Sequence, residues 1–176
     1  MARWQDALRR SRSIRFEGDP ASERSNVMFV LCSENHAAAA LAAACEPALV
    51  LQTLGGARDP ADESTRATIE YAIVEKGVRH VVVCGHQGCE AAASEGQDSR
   101  HAPQAAVVSQ CIRLREDPSI GPLLRAHRVA LRPLWFDTPD GNIFMCSLED
   151  ARVTPMADND FAKMLALFSR RQERAL

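Results

Sequence analysis

The stretch VVVCGHQGC, residues 81–89, decides how the rest of the chain is interpreted. Its first half is rich in valine, which is typical of a buried β-strand, and Gly85 allows a sharp turn where the strand ends. His86 and Cys89 then follow three residues apart, a spacing that lets one turn present both side chains to a single point. An imidazole nitrogen and a thiolate sulfur are both good zinc ligands, so the stretch predicts two ligands of a zinc site.

A third ligand is predicted where another apolar run, VMFVLC at residues 27–32, ends. If the two runs are neighbouring parallel strands, Cys32, His86 and Cys89 converge at their carboxyl ends, where open α/β sheets place their sites. The alternative is that the cysteines are small buried hydrophobes and that the histidine is incidental. From the residues alone, the two interpretations are evenly balanced.

The order of predicted elements indicates a mainly parallel sheet. Strand, helix and strand alternate twice in the first half of the chain, which favours right-handed crossovers between parallel strands. Pro133, inside the fourth predicted strand, suggests an edge or a bulge. The predicted strands cover residues 27–31, 48–51, 79–84, 129–136 and 143–147, and the main helices cover 37–44, 62–76, 103–115 and 158–174.

Composition restricts the class of protein. With 176 residues, 46% hydrophobic and 25% charged, the chain reads as one soluble domain, 1–176, and residues 1–20 are expected to form an N-terminal helical arm. A net charge of −2 gives no electrostatic reason to expect nucleic acid or a membrane surface as a partner. Six cysteines favour thiol or metal chemistry over a disulfide framework, and without a signal-like start we expect a cytoplasmic protein.

The motifs together resemble those of the β-class carbonic anhydrases over roughly residues 25 to 150. TIEYA at residues 68–72, followed by VVVCGHQGC, is similar to the family's helix, strand and G-H-x-x-C zinc motif, and Cys32 falls where the family has its first zinc-binding cysteine. A turn at Asp140 and Gly141 resembles the family's late hairpin. The resemblance implies a three-layer α/β fold whose sheet has the order 2-1-3-4 plus an antiparallel edge strand. It also implies Zn²⁺ as cofactor, held by Cys32, His86 and Cys89, and a homodimer or higher homo-oligomer with its zinc sites near the subunit interface.

The chain departs from the family in its first motif. The family has C-x-D-x-R, whereas this chain has CSENH at residues 32–36, so Glu34 and His36 replace the aspartate and the arginine. In the family the aspartate orients the zinc-bound water or, in closed forms, takes the fourth zinc position, and the arginine holds it away from the metal. We therefore predict that Glu34 and His36 are the catalytic pair, against the alternative of two solvated residues at a helix start. Glu90 stands where the family usually has glycine, and its role stays open.

The function that this resemblance implies is zinc-dependent, reversible hydration of carbon dioxide to bicarbonate, at low activity because the pair is replaced. One alternative is a zinc hydrolase that acts on another small carbon electrophile, such as a carbon–sulfur compound. A second is a catalytically silent, zinc-stabilised binding or regulatory protein. The other cysteines are predicted to pack in the core, and His80, His101 and His127 to lie on the surface.

Overall fold

The computed structural model describes residues 25–45, 48–56, 62–93, 104–137, 139–150 and 152–168, so the predicted N-terminal arm and His101 lie outside the described residues. The strands are β1 (Val27–Cys32), β2 (Ala48–Thr53), β3 (His80–His86), β4 (Ala130–Asp137), β5 (Asn142–Cys146) and β6 (Val153–Pro155). The helices are α1 (His36–Ala44), α2 (Glu63–Val74), α3 (Glu90–Ala93), α4 (Gln104–Glu116), α5 (Ile120–Ala126) and α6 (Asp158–Phe168). Every helix in these ranges is too short or too polar to cross a membrane.

The described strands form one sheet of order β2-β1-β3-β4-β5-β6. β2, β1, β3 and β4 are mutually parallel, and β5 is antiparallel to β4. This confirms the predicted order 2-1-3-4 and the antiparallel fifth strand. The short strand β6 pairs with β5 and was not predicted, so that side of the sheet ends one strand further out.

Pro133 does not mark an edge strand, because β4 lies between β3 and β5. Pro133 is buried and pairs with Val83 of β3, but the register between β4 and β5 begins only at Leu134. On the β5 side, Pro133 is therefore just beyond the paired segment of the described strands. A residue without an N–H donor is tolerated at that position, since no ladder hydrogen bond is required there.

Alternating side chains of the central strands pack into two apolar clusters, one on each face of the sheet. Met28, Val30, Val81 and Val83 pack on the face covered by α2, α4 and α5. Phe29 and its neighbours on the same strand face pack on the side covered by α1 and α6. The sheet is thus buried on both faces, which explains why its central strands are apolar throughout rather than alternating.

His80 is a correction to the sequence interpretation, because its ring is half-buried rather than on the surface. The ring lies 5.5 Å from the Phe168 ring, centroid to centroid, and its Nδ1 accepts a hydrogen bond from Arg132 Nε at 3.2 Å. Burial, and secondarily the charge of Arg132, lowers the pKa of His80 to about 4. His80 therefore stays neutral and packs at the start of β3, at the opposite end of that strand from the zinc motif.

The cysteines outside the predicted zinc site are buried, as expected for packing residues. Burial raises the pKa of Cys45 and Cys146 to about 11 and of Cys111 to about 12, and it raises the pKa of Cys84 as well. All six cysteines are described and are free thiols. High pKa values keep these four thiols protonated, so they behave as small hydrophobic groups.

Gly85 is required at the end of β3 by close packing. A Cβ atom at this position would lie 2.1 Å from Val107 Cγ2 of α4 and 2.9 Å from the Trp135 ring of β4. The absence of a side chain lets α4 and β4 approach the strand directly before His86. Gly85 thereby sets how close the helix layer lies to the end of β3.

We expect Gly85→Ala to lower the free energy of unfolding by about 1–3 kcal/mol, the usual cost of overpacking. Chemical denaturation followed by circular dichroism measures this change. Val107→Ala is the matched partner, because it removes the atom that the new methyl group would meet. The double variant should be more stable than the sum of the two single costs predicts, and simple additivity would contradict this role of Gly85.

Candidate metal centre

Parallel pairing of β1 and β3 brings the predicted ligands to one edge of the sheet. Leu31 pairs with Cys84, so Cys32 and His86 both lie where their strands end. Gly88, with φ of +74°, then turns the chain so that Cys89 follows immediately before α3. A residue with a side chain rarely adopts this backbone conformation, which explains a glycine between the two ligands.

The donor atoms of Cys32, Glu34, His86 and Cys89 all lie within 4.8 Å of one another. The two sulfur atoms are 3.8 Å apart. Cys32 and His86 are buried, whereas Cys89 and Glu34 are partly exposed. The predicted ligands Cys32, His86 and Cys89 are therefore brought together, and Glu34 joins them.

The orientation of the His86 ring is fixed by its own backbone neighbour. Nδ1 lies 3.0 Å from the carbonyl oxygen of Gln87, which can only accept, so Nδ1 carries the hydrogen. The lone pair is then on Nε2, which is buried and has no hydrogen-bond partner among the described residues. Nε2 is 3.9 Å from Glu34 Oε2, beyond hydrogen-bond distance, so the two atoms face each other across a gap. A carbonyl that holds the far nitrogen of a histidine is the arrangement common among metal-binding histidines.

Glu34 is held in the cluster by a backbone group. Its Oε2 accepts a hydrogen bond from the Glu90 N–H at 3.2 Å and lies 3.8 Å from Cys32 Sγ. His36 is the first residue of α1, its side chain is exposed, and it is not one of the four clustered donors. The structure thus brings Glu34, but not His36, together with the predicted metal ligands.

The clustered residues fit a zinc ion. Two Zn–S bonds of about 2.3 Å at a tetrahedral angle would separate the sulfur atoms by about 3.8 Å, which is the distance found. The unpartnered, buried Nε2 of His86 has the lone pair that a third ligand needs. Two thiols, an imidazole and a carboxylate this close together form a donor set that suits zinc better than the hard cations magnesium and calcium.

Two supporting residues escaped the sequence interpretation. The first is Gly55, whose N–H lies 3.3 Å from Cys32 Sγ. The second is Asn35, whose Nδ2 donates to the Gly85 carbonyl at 3.3 Å. The Oδ1 of Asn35 accepts a hydrogen bond from the Ala38 N–H and so caps α1. Asn35 is fully buried and ties the turn after β1 to the end of β3. An asparagine directly before an alanine-rich helix is a capping signal, so the sequence could have indicated the helix cap but not the bond to Gly85.

An apolar cavity of about 310 Å³ lies between α1, the β4–β5 hairpin and α6. Phe136, one of its lining residues, pairs with His86, and its carbonyl accepts a hydrogen bond from the Gln87 N–H. Phe136 therefore lines the cavity and also pairs with the end of the strand that carries His86.

Comparison with known proteins shows similarity to the carbonic anhydrases. A family model described as carbonic anhydrase matches residues 27–106. A carbonic anhydrase of Pseudomonas aeruginosa is 24% identical and covers 85% of this chain and 86% of its own length. Among solved structures, a tetrameric β-carbonic anhydrase of Sordaria macrospora superposes with a TM-score of 0.64 at 19% identity, over 86% of this chain and 93% of the other.

A Coccomyxa β-carbonic anhydrase, solved with acetazolamide, has a TM-score of 0.60 at 14% identity and covers 92% of this chain and 86% of its own. These structures share the fold, and the family model spans the segment that contains Cys32, His86 and Cys89. The clustered donors lie at the ends of the strands that carry the motifs. On this evidence residues 27–106 are similar to the carbonic anhydrase family, and the chain has the fold of the β-carbonic anhydrases.

Proposed function

We propose that the protein binds one zinc ion through Cys32, His86 and Cys89 and catalyses the reversible hydration of carbon dioxide to bicarbonate. The observation that carries this proposal is the convergence of four donor atoms within 4.8 Å, with the buried His86 Nε2 otherwise unpartnered among the described residues. Three protein ligands leave a fourth coordination position, which is what separates catalytic from structural zinc sites. The match of residues 27–106 to the carbonic anhydrase family model supports the reaction type.

Each clustered residue has a role in this scheme. A zinc ion held by Cys32, His86 and Cys89 would supply an activated water near neutral pH, because coordination lowers the pKa of water to about 7. The thiolates of Cys32 and Cys89 neutralise the dication, and the Gln87 carbonyl keeps the His86 lone pair directed at the ligand cluster. Glu34 Oε2 is the nearest carboxylate oxygen that can orient the attacking water and accept its proton.

The hold on Glu34 differs from the arginine pair that the family uses. The Glu90 N–H is a single neutral donor, whereas an arginine offers a charged fork of donors that matches a carboxylate. Glutamate is also one methylene longer than aspartate, so Glu34 can reach the fourth coordination position and compete with water for it. We therefore propose a slow enzyme.

A silent zinc protein is the second candidate, and the position of Glu34 is the observation that favours it. If the carboxylate took the fourth position permanently, the site would be closed with two thiolates, one imidazole and one carboxylate. Closed four-ligand sites stabilise folds but leave no place for a substrate. The two candidates bind the metal through the same protein ligands and differ in whether Glu34 leaves it.

We also propose that the chain is a single domain that assembles into a homo-oligomer in the cytoplasm. Exposed apolar side chains on and just after the edge strand β2, Val50 at 48% and Leu54 at 66%, support an interface there. The structural relative from Sordaria macrospora is tetrameric. Free thiols throughout the described chain suit a reducing compartment.

The purified protein should contain about one zinc ion per chain, and Cys89→Ser should lose most of it. Removing a thiolate ligand should also lower the thermal unfolding midpoint, because bound metal contributes folding free energy. Elemental analysis and calorimetry measure both effects. Cys45→Ala is the matched control, since Cys45 is buried but lies outside the cluster, and it should keep the metal. Full zinc content in a Cys32→Ala/Cys89→Ala variant would refute the ligand assignment.

Stopped-flow assays on zinc-loaded protein should show slow hydration of carbon dioxide, and Glu34→Asp/His36→Arg should raise the rate by about tenfold or more. The expected reason is that an arginine fork holds the shorter carboxylate away from the metal. His36→Arg alone is the control, because it adds the charge without shortening the carboxylate. A fast wild-type enzyme that slows in the double variant would show that Glu34 and His36 form a working pair. Stable zinc binding with no hydration in either form would favour the silent candidate.

Light scattering coupled to gel filtration should give a mass of at least two chains at micromolar concentration. Leu54→Lys should shift the mass towards the monomer, because it places a charge in the proposed apolar contact. Tyr71→Lys is the control, since Tyr71 is also an exposed apolar residue but lies on α2. A monomeric wild-type protein would contradict the oligomer.

A further inference from the structure

A glutamine of helix α4 contacts the turn that supports the first metal ligand. Gln110 Nε2 donates a hydrogen bond to the carbonyl oxygen of Gly55 at 3.0 Å. The N–H of the same Gly55 points at Cys32 Sγ, 3.3 Å away. Gln110 therefore holds one side of a glycine whose other side donates to the sulfur.

The turn is shaped for this contact. Gly55 and Gly56 have φ of +83° and +74°, a conformation that residues with side chains rarely adopt. A Cβ on Gly56 would lie 3.1 Å from Gln110 Oε1 and 3.9 Å from the Cys32 backbone nitrogen, so the turn is wedged between the glutamine and the ligand. Both glycines are buried, which shields the N–H from water.

A second contact holds the base of the turn but does not involve the Gly55 N–H. Ser33 N–H donates to the Thr53 carbonyl at 2.9 Å and so ties the turn to the end of β1. This bond acts two residues before Gly55. Within the turn, the Gly56 N–H also donates to the Thr53 carbonyl at 3.3 Å, and Thr53 Oγ1 donates to the Gly56 carbonyl. The Gly55 carbonyl itself is held by Gln110, which reaches the turn from a different layer of the fold.

We infer that Gln110 is a positioning residue of the metal centre, which holds the Gly55 N–H on the Cys32 sulfur and thereby tunes the metal–thiolate bond. The inference rests on the proposed zinc site. An N–H that donates to a thiolate withdraws electron density from the sulfur and makes it a weaker donor to the metal. The metal would then be a stronger Lewis acid than it would be without this hydrogen bond. This matters because two thiolate ligands already reduce the Lewis acidity of the metal.

The competing explanation is that Gln110 only packs α4 against the turn. A packing role would change the stability of the protein with and without metal alike. It would leave the electronic state of the Cys32 sulfur as it was. The test therefore needs a signal that comes from the metal–sulfur bond.

The experiment uses the full chain loaded with cobalt(II), whose sulfur-to-metal charge-transfer band reports the electron density on the ligand thiolates. Gln110→Met keeps the volume and the helix propensity of the side chain but removes the donor. We expect its band to move to lower energy, because a sulfur that lacks the hydrogen bond gives up an electron more easily. Arg113→Met, one turn along α4 and exposed, is the matched control and should match the wild type.

A second variant and a second measurement keep the test decisive. Gln110→Glu preserves the shape of the side chain and should cause the same band shift if Gln110→Met fails to fold. In cadmium-113-loaded wild-type protein, the Gly55 amide proton should show scalar coupling to the metal through the hydrogen-bonded sulfur.

An unchanged charge-transfer band in a folded variant would overturn the inference even if zinc affinity fell, because the loss would then be a packing effect. Absence of the Gly55 coupling in the wild type would overturn it too. Failure of the wild-type protein to bind any of these metals would instead remove the proposed function. The two failures are thus distinguishable.

Discussion

The parallel pairing of β1 with β3 is the constraint on which the rest of the centre depends. It joins two strands separated by a helix, a third strand and a second helix along the chain, and it sets their carboxyl ends side by side. Cys32 and His86 then occupy neighbouring strand ends without any long loop to position them. Because both strands are buried on both faces, a one-residue shift of register would move every side chain into the apolar cluster on the opposite face and disrupt the packing of both clusters. The hydrophobic core therefore holds the ligand geometry in place.

Glycines allow the surrounding layers to come close enough to support that geometry. Gly85 lets α4 and β4 approach the strand directly before His86, and Gly55 brings an N–H to the Cys32 sulfur. α4 takes part in both contacts, through Val107 and through Gln110, which are three residues apart and so lie on one face of the helix. One helix face thus packs against the strand that carries the histidine and against the turn that supports the cysteine.

The sequence predicted what short-range patterns encode. Apolar runs ending at Cys32 and before His86 indicated the central strands and, through the family motif, the ligand set. Contacts between distant residues left no such pattern. The burial of His80 depends on Phe168, and the support of Cys32 depends on a glutamine 55 residues from the turn it holds. β6 has three residues, too few for a periodic signal. The partner of Glu34 was missed because a backbone N–H is present at almost every residue and carries no signature in the sequence.

That backbone donor changes what the replaced motif means. Comparison of side chains alone suggests that the loss of the family's arginine leaves Glu34 unrestrained, with His36 as its only substitute. In the structure, His36 is exposed at the start of α1, and the hydrogen bond comes from the backbone of Glu90, the residue after Cys89. Any residue other than proline supplies the same N–H at position 90, so the donor does not depend on the glutamate side chain that stands there. A neutral N–H fixed in the backbone does not lose a charge as the pH changes, whereas a histidine partner would. In the proposed zinc site, the balance between a carboxylate at the metal and a carboxylate beside it would then be set by distance and side-chain length, and the extra methylene of glutamate would shift that balance towards the metal.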